Sequence, residues 1–174
     1  LGIGDYAIRP DGLREAYAPV VQREPYIGKN RAAFGFDAWS EPVRRLALER
    51  ARDSGMPAIS GKVSLGMEAE PIQQAGFAMY LPIYAAGQPS ETLLQRREHL
   101  IGWVSAAFQM DDLMASLYGR LPPGIDYSIH DGIELSDATL LYDSDPKAGA
   151  TPGFMSAHEY LVIGGRTWTL TMTA

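Results

Sequence analysis

Apolar residues in the first third of the chain recur with the period of a helix. The predicted core-facing stripe, at spacings of three, four and eight, consists of Val43, Leu46, Ala47 and Ala51. Ser40 is predicted to cap the N-terminus of this helix through its hydroxyl. Gly55 is predicted to end it in a left-handed conformation. The pattern therefore predicts one amphipathic helix between Ser40 and Gly55.

The stretch that follows favours strands, because it is rich in β-branched and aromatic residues. Strands are predicted over Ala58 to Leu65, Phe77 to Tyr84 and His99 to Phe108. A short helical segment or a charged surface turn is predicted from Thr92 to Glu98. A second amphipathic helix is predicted from Met110 to Tyr118, where apolar residues again fall three, four and seven apart.

The last third of the chain is predicted to consist of strands. They cover Ile125 to His130, Ala138 to Tyr142, Glu159 to Ile163 and Arg166 to Met172. Gly164-Gly165 joins the last two and is typical of a two-residue hairpin turn. Leu121 to Gly124 (LPPG) is the best candidate for a domain boundary. Strands thus dominate and a few helices separate antiparallel pairs, which predicts an α+β fold.

Bulk properties exclude several classes of protein. At 174 residues the chain is long enough to bury roughly 70% of its unfolded surface. Its net charge of -6 argues against nucleic acid as a partner, because phosphate binding needs a basic patch. The lack of cysteine excludes disulfides and thiolate chemistry. No apolar run is long enough to span a membrane, and the first residue is not Met, so we expect a domain taken from a longer protein.

The sequence contains no recognisable catalytic signature. The motifs GxSxG, HExxH, GxGxxG and the P-loop are all missing. The three histidines, His99, His130 and His158, do not lie at metal-ligand spacings from one another. We therefore predict no catalytic residue, no metal site and no cofactor. His130 is predicted to end a strand at a turn, and Asp37 to make a loop or capping bond.

Arg44 is the most informative charged residue. It lies one residue off the predicted apolar stripe, which places its guanidinium at the edge of the buried face. The planar guanidinium suits a carboxylate or a phosphate, so Arg44 is a candidate for binding an anionic ligand. The alternatives are an internal salt bridge to Asp37, to Glu41 or to a strand residue, or simple exposure to solvent.

Alternation along the predicted strands suggests the remaining pocket residues. Ser60 and Tyr80 lie on strands that follow the first helix. On the next strand, Trp103, Ser105 and Ala107 alternate with Val104 and Ala106. The small side chains of residues 105 to 107 would leave room for a ligand above the sheet. Alternatively, Tyr80 and Trp103 are ordinary core aromatics.

Several short motifs, in this order and spacing, resemble the CHASE domain. They are EP at Glu24 and Pro25, Asn30, GFD at Gly35 to Asp37, SEPVRR at Ser40 to Arg45, ALERARDSG at Ala47 to Gly55, SGKVSL at Ser60 to Leu65, YLPIY at Tyr80 to Tyr84, GWV at Gly102 to Val104, AF at Ala107 and Phe108, and DDLM at Asp111 to Met114. Each motif alone is weak, but their order is specific. The likeness covers about two-thirds of the chain.

The resemblance implies a particular organisation. CHASE domains are extracytoplasmic sensory modules of histidine kinases, nucleotide cyclases and diguanylate cyclases. They resemble a long stalk helix followed by two PAS-like lobes with antiparallel sheets, of which the membrane-distal lobe holds the ligand. On that pattern, residues 1 to 120 form the distal lobe with a linker helix, and residues 121 to 174 form the smaller membrane-proximal lobe. The stalk helix would precede Leu1, transmembrane helices would flank the domain, and the stalk would support a homodimer.

The resemblance also implies a ligand site. In plant cytokinin receptors of this family, an acidic residue at the position of Arg44 holds a purine-like ligand. The reversed charge here implies a small organic anion instead. Gly66 matches a ligand-contacting position, or is only a turn glycine. The expected site consists of Arg44, Ser60, Gly66, Tyr80, Trp103, Ser105, Ala106 and Ala107.

The expected function is therefore that of a non-catalytic, ligand-binding sensory domain that signals across the cell membrane from the periplasmic or extracellular side. Two alternatives remain open. One is a small hydrolase-type enzyme with unrecognised motifs. The other is a ligand-free dimerisation module in which Arg44 is paired internally and Tyr80 and Trp103 fill the pocket.

Overall fold

A computed structural model describes residues 6–25, 33–65, 74–118, 125–146 and 156–173. In these ranges the helices are α1 (Pro42–Ser54), α2 (Leu93–His99) and α3 (Met110–Tyr118). The strands are β1 (Ala58–Ile59), β2 (Val63–Leu65), β3 (Gln74–Tyr84), β4 (Leu100–Gln109), β5 (Asp126–Asp131), β6 (Leu140–Asp143), β7 (Ser156–Ile163) and β8 (Arg166–Thr173). Within the described residues, no helix has the length and apolar character needed to cross a membrane.

Helix α1 forms where the sequence predicts it, but both its start and its buried face differ from the prediction. Glu41, not Ser40, occupies the N-cap position, and Ser40 instead donates its hydroxyl to the carbonyl of Asp37 at 2.6 Å. Gly55 ends the helix with φ 74° as predicted, and its N–H donates to the Ala51 carbonyl. Because a left-handed residue closes the last turn, the helix cannot continue into β1.

The buried stripe of α1 is rotated by about one residue from the predicted one. Ala47, Leu48 and Ala51 are buried, whereas Val43 and Leu46 are exposed. Arg44 precedes Ala47 by three residues and Leu48 by four, so it lies one helical turn earlier on the same face. Arg44 therefore lies on the buried stripe itself and not beside it.

The first sheet is built around β3, and among the described residues it has four strands. Strand β4 pairs with β3 along almost its whole length, with Tyr80 opposite Ser105. The short strands β1 and β2 both pair with the other edge of β3. The predicted continuous strand from Ala58 to Leu65 is thus broken by a turn at residues 60–62.

In the middle of β3 both faces are buried, against different partners, whereas Leu81 and Ile83 further along are exposed. On one face Ala78 and Tyr80 pack under α1, in a cluster with Ala38, Trp39, Ala47, Leu48, Ala51 and Ala58. On the other face Phe77 packs against α3 and the second sheet, in a cluster with Ile59, Met110, Met114, Ile129, Leu141 and Trp168. The period of two along a strand separates these two sets of side chains.

The second sheet has the strand order β6-β5-β8-β7 with antiparallel neighbours. Gly164 and Gly165 join β7 to β8 with φ of 52° and 79°. Two successive residues with positive φ are typical of a type I′ turn, so the predicted hairpin is confirmed.

The α+β class with antiparallel sheets and flanking helices is also confirmed, and it is consistent with PAS-like lobes.

The two sheets contact each other directly. The rings of Phe77 and Trp168 lie 5.1 Å apart, edge to face. Asp131 at the end of β5 accepts the Lys62 backbone N–H at 2.8 Å and is paired with Arg166 of β8. The first sheet precedes residue 120 and the second follows it, but they share this core. The division into lobes at 120/121 therefore stays a prediction, and residues 121–124 lie outside the described ranges.

Asp37 fixes the entrance to α1 through a fully buried carboxylate. It accepts the backbone N–H groups of Ala18 at 2.7 Å and Trp39 at 3.1 Å, and it is paired with Arg14 at 2.9 Å. The predicted structural role of Asp37 is therefore correct. Its bonds hold the irregular N-terminal segment against the 3-10 turn Ala38–Ser40.

We predict that Asp37→Asn lowers the free energy of unfolding by about 1–3 kcal/mol, because the substitution leaves the largely buried Arg14 guanidinium without a charge partner. Urea denaturation followed by tryptophan fluorescence measures the change. Asp11→Asn, the same substitution at an exposed position of the same segment, is the matched control and should change stability by less than about 0.5 kcal/mol. Equal effects of the two substitutions would contradict the assigned role of Asp37.

We expect His130 to make folding stability depend on pH. The residue is 9% exposed, with Nδ1 3.2 Å from Thr139 Oγ1 and Nε2 3.3 Å from Ser128 Oγ. Burial lowers the pKa of His130; Lys62 adds to this, while the Ser136 backbone, Asp143 and Asp137 oppose it. The unfolded chain, with an ordinary histidine pKa of about 6.5, then binds the proton more readily than the folded protein.

Stability should therefore fall as the pH drops below about 6.5 towards the lower pKa of the folded state. In His130→Gln this part of the pH dependence should disappear, as measured by urea denaturation at pH 7.5, 6.5 and 5.5. His158→Gln, at an exposed histidine, should keep the wild-type slope. A slope that survives in His130→Gln would show that another group carries the proton linkage.

Candidate functional site

The candidate site is centred on the guanidinium of Arg44, which α1 directs towards the first sheet. Only 13% of the Arg44 side chain is exposed. Its guanidinium carbon lies 5.5 Å from the centre of the Phe36 ring, a cation–π distance. Since a buried cation needs an anionic or polar partner, the neighbours of Arg44 determine what the site can bind.

Glu41 is the anionic partner of Arg44. Its Oε2 accepts a short hydrogen bond from the Arg44 Nε, three residues further along the helix. The Glu41 side chain is 37% exposed, so the ion pair lies at the protein surface with its cation turned inwards. This internal pair is one of the alternatives that the sequence left open for Arg44.

Tyr80 is the polar partner of Arg44 on the sheet. Burial raises the pKa of Tyr80, and the nearby Arg44 opposes the rise. For Arg44, burial works to lower the pKa, but Tyr80 and Glu41 outweigh it and the pKa ends above its ordinary value. At neutral pH the site therefore holds a permanent cation beside a protonated phenol.

Beside Tyr80 the sheet is open to solvent. Helix α1 covers Ala78 and Tyr80 of β3, but the residues opposite them on β4, Ala107 and Ser105, are exposed. Opposite residues of an antiparallel pair share one face of the sheet, so Ser105 and Ala107 form a shelf of small side chains next to Tyr80. The Arg44 guanidinium and this β4 shelf thus both adjoin Tyr80.

Two of the predicted site residues have structural bonds. Trp103 packs against the core of the first sheet, 5.9 Å from Trp39, and donates its Nε1–H to the Leu48 carbonyl at 3.1 Å. Ser60 is buried, accepts the Ala78 N–H and donates to the Gly61 carbonyl. Where the strand breaks, the Ser60 hydroxyl thereby accepts a bond that a backbone carbonyl would accept in a continuous strand. These contacts account for both side chains without a ligand.

The structure does not bring all of the predicted residues together. Ala106 is opposite Met79 and lies on the other face of the sheet, away from Arg44. Gly66 lies outside the described residues. Arg44, Tyr80, Ser105 and Ala107 remain as one group. Whether they bind a ligand stays a prediction.

The sequence reasoning missed Phe36. Its place under the guanidinium depends on the bridge between Arg9 and Phe36, which joins segments 27 residues apart. Only the position of Phe36 within the GFD motif pointed to it. Glu41, by contrast, was a predicted partner because a residue three positions before Arg44 shares its helix face.

His130 does not form a catalytic centre of the hydrolase type. His130 has a serine near one ring nitrogen, but a threonine, not a carboxylate, near the other. A serine–histidine pair needs a carboxylate or similar group to orient the imidazole. Nor do the described His, Asp and Glu residues form a group that could hold a metal ion.

Comparison with solved structures gives relatives of low similarity. A solved structure of a "Methyl-accepting Chemotaxis protein X" is 14% identical in sequence, with a TM-score of 0.40. The match covers 78% of this chain and 55% of that one, so this chain spans about half the length of its relative. At that TM-score nothing about function follows from the likeness. Comparison with curated proteins found no match.

The family model named CHASE domain matches residues 1–142 of the 174 in the chain. The match includes α1, the whole first sheet and β5, and thus every residue of the candidate site. It also includes every motif that carried the resemblance in the sequence. The chain belongs to the CHASE domain family of extracytoplasmic sensor domains.

Proposed function

We propose that this sensory domain binds a small organic anion at Arg44 and transmits the binding event across the cell membrane. Membership of the CHASE family supports a sensory domain of a signalling protein. The observation that carries the ligand class is the Arg44 guanidinium, buried on the sheet face and adjoining, through Tyr80, an open shelf of small residues. The ligand would lie on this shelf with its charged end at Arg44.

The electrostatics support an anion over a nucleobase. A permanent cation beside a protonated phenol presents hydrogen-bond donors to the shelf, and donors bind carboxylate or phosphate oxygens. A purine-like ligand held by its N–H groups would need an acceptor at this position. Burial of Arg44 also strengthens its attraction for an anion, because the local dielectric is lower than that of water.

Signalling would follow by population shift. A ligand that contacts α1 and β4 favours those arrangements of the first sheet in which the two are correctly spaced. The turn at residues 60–62, which contacts Asp131, connects this sheet to the second one. A coupling free energy of about 1–3 kcal/mol is typical of such systems. The second sheet would pass the change to the membrane helix and on to a histidine kinase or diguanylate cyclase, in a homodimer supported by the stalk helix.

A second candidate function is a ligand-free dimerisation module. It is favoured by the internal pairing of Arg44 with Glu41 and by the bond from Trp103 to Leu48. In that case Arg44 serves stability, and assembly of two copies carries the signal. The two candidates differ in whether any small anion binds.

We expect carboxylates or phosphates from a panel of small metabolites to raise the melting temperature of the domain, and Arg44→Gln to abolish that effect. A ligand at 100 times its Kd adds ~2.7 kcal/mol of stability. Arg45→Gln is the matched control, since Arg45 is the exposed neighbour on the same helix and the substitution removes the same charge. If no compound stabilises the protein and Arg44→Gln only destabilises it, the dimerisation module becomes the better account.

Filling the β4 shelf should also prevent binding. Ser105→Phe places a ring where the ligand would lie, and because Ser105 is exposed the substitution should change stability by less than about 1 kcal/mol. The anion-dependent rise in melting temperature should disappear. Val104→Phe, on the opposite face of the same strand, should keep it. Binding that survives Ser105→Phe would move the ligand away from this shelf.

A further inference from the structure

We infer that Glu41 is an internal competitor for the ligand, and that the anionic group of the ligand is a carboxylate. This inference rests on the proposed function of Arg44 and specifies it further. Glu41 occupies Arg44 in the described state, so a ligand must displace the Glu41 carboxylate. The affinity of the site is then set by the difference between two carboxylate–guanidinium pairs.

The exposure of the pair shows which partner can leave. The Glu41 side chain is 37% exposed, whereas that of Arg44 is 13% exposed. In the pairs Arg14–Asp37 and Arg166–Asp131 the carboxylates are 0% and 10% exposed, and both also accept backbone N–H groups. Glu41 can therefore turn into water while Arg44 stays in place.

Helix α1 does not require the Glu41 side chain. Glu41 is the N-cap residue, but its side chain makes no capping hydrogen bond. A carboxylate near a helix N-terminus is stabilised by the helix dipole over about one turn, whether or not it contacts Arg44. Displacing Glu41 would thus break one ion pair and leave the helix intact.

The chemistry of Glu41 indicates the chemistry of the ligand. Its carboxylate bonds to the Nε of a guanidinium that lies over the Phe36 ring. A ligand carboxylate can take this place with the same planar shape and the same single charge, so Arg44 keeps its partner when Glu41 leaves. A phosphate also fits a guanidinium, but it carries up to two charges and would replace a partner that carries one.

With such competition, the apparent affinity equals the intrinsic affinity multiplied by the fraction of protein in which Arg44 is free of Glu41. It also prevents Arg44 from being a buried, unpaired cation when no ligand is bound, which would be costly. Glu41 would therefore set the ligand concentration at which the sensor responds. Removing its charge should make the site bind more tightly without adding any contact to the ligand.

The test compares the Kd values of acetate, propionate and inorganic phosphate for the wild-type domain and for Glu41→Gln, measured by NMR titration at constant ionic strength. We expect acetate and propionate to bind about five- to tenfold more tightly to Glu41→Gln. Phosphate should gain by a similar factor, because the competitor is removed for every anion, but it should bind more weakly than acetate to both proteins. Glu49→Gln, the same substitution further along α1, is the control and should leave all three constants unchanged. If Glu41→Gln does not fold, Glu41→Ser serves in its place, because it introduces a residue that is favoured at the N-cap position.

The outcomes separate this inference from the function on which it rests. Carboxylate binding that is equal in the wild type and Glu41→Gln would overturn the competition but leave the anion sensor intact. Phosphate that binds as tightly as acetate, or more tightly, to both proteins would overturn the carboxylate assignment. No binding of any probe to either protein would overturn both the competition and the proposed function.

Discussion

The middle of strand β3 buries both of its faces, and the rest of the structure depends on this requirement. Ala78 and Tyr80 lie under α1, and Phe77 packs against α3 and the second sheet. One strand therefore belongs to both hydrophobic clusters. A change in how α1 or β4 packs on β3 is transmitted to the second sheet, because packed interiors resist deformation. Under the proposed function, this packing would carry the effect of a ligand bound on one side of β3 to the second sheet.

The position of Arg44 on the buried stripe of α1 gives this arrangement its chemical specificity. An apolar residue there would simply extend the core. A buried guanidinium needs anionic or polar partners; here Glu41, Phe36 and Tyr80 surround it. The Glu41 side chain is 37% exposed, and in the proposed mechanism it is the partner that a ligand replaces. Under that proposal, ligand binding would change the environment of a helix already packed on β3.

Local patterns predicted most of the elements. The period of α3, the Gly55 helix end and the Gly164-Gly165 hairpin all depend on residues close together in the chain, and all are present. Features set by distant contacts were missed. The strand from Ala58 breaks because the turn at Lys62 bonds to Asp131, 69 residues away. The buried face of α1 is rotated because Arg44 and Leu48 pack towards the sheet. Alternation along β4 places Ser105 and Ala107 on the face of the site, and it therefore places Ala106 on the opposite face of the sheet.

The most direct test of the account is the NMR signal of the Arg44 Nε–H group in protein labelled with ¹⁵N-arginine, assigned by its loss in Arg44→Gln. The account predicts that this signal shifts progressively and saturates as acetate is added, while sodium chloride at equal ionic strength leaves it in place. The signal of Arg14, held by the fully buried Asp37, should not move in either titration. An Arg44 signal that stays constant up to high acetate concentration would show that its partner is permanent, and would contradict an anion sensor at this site.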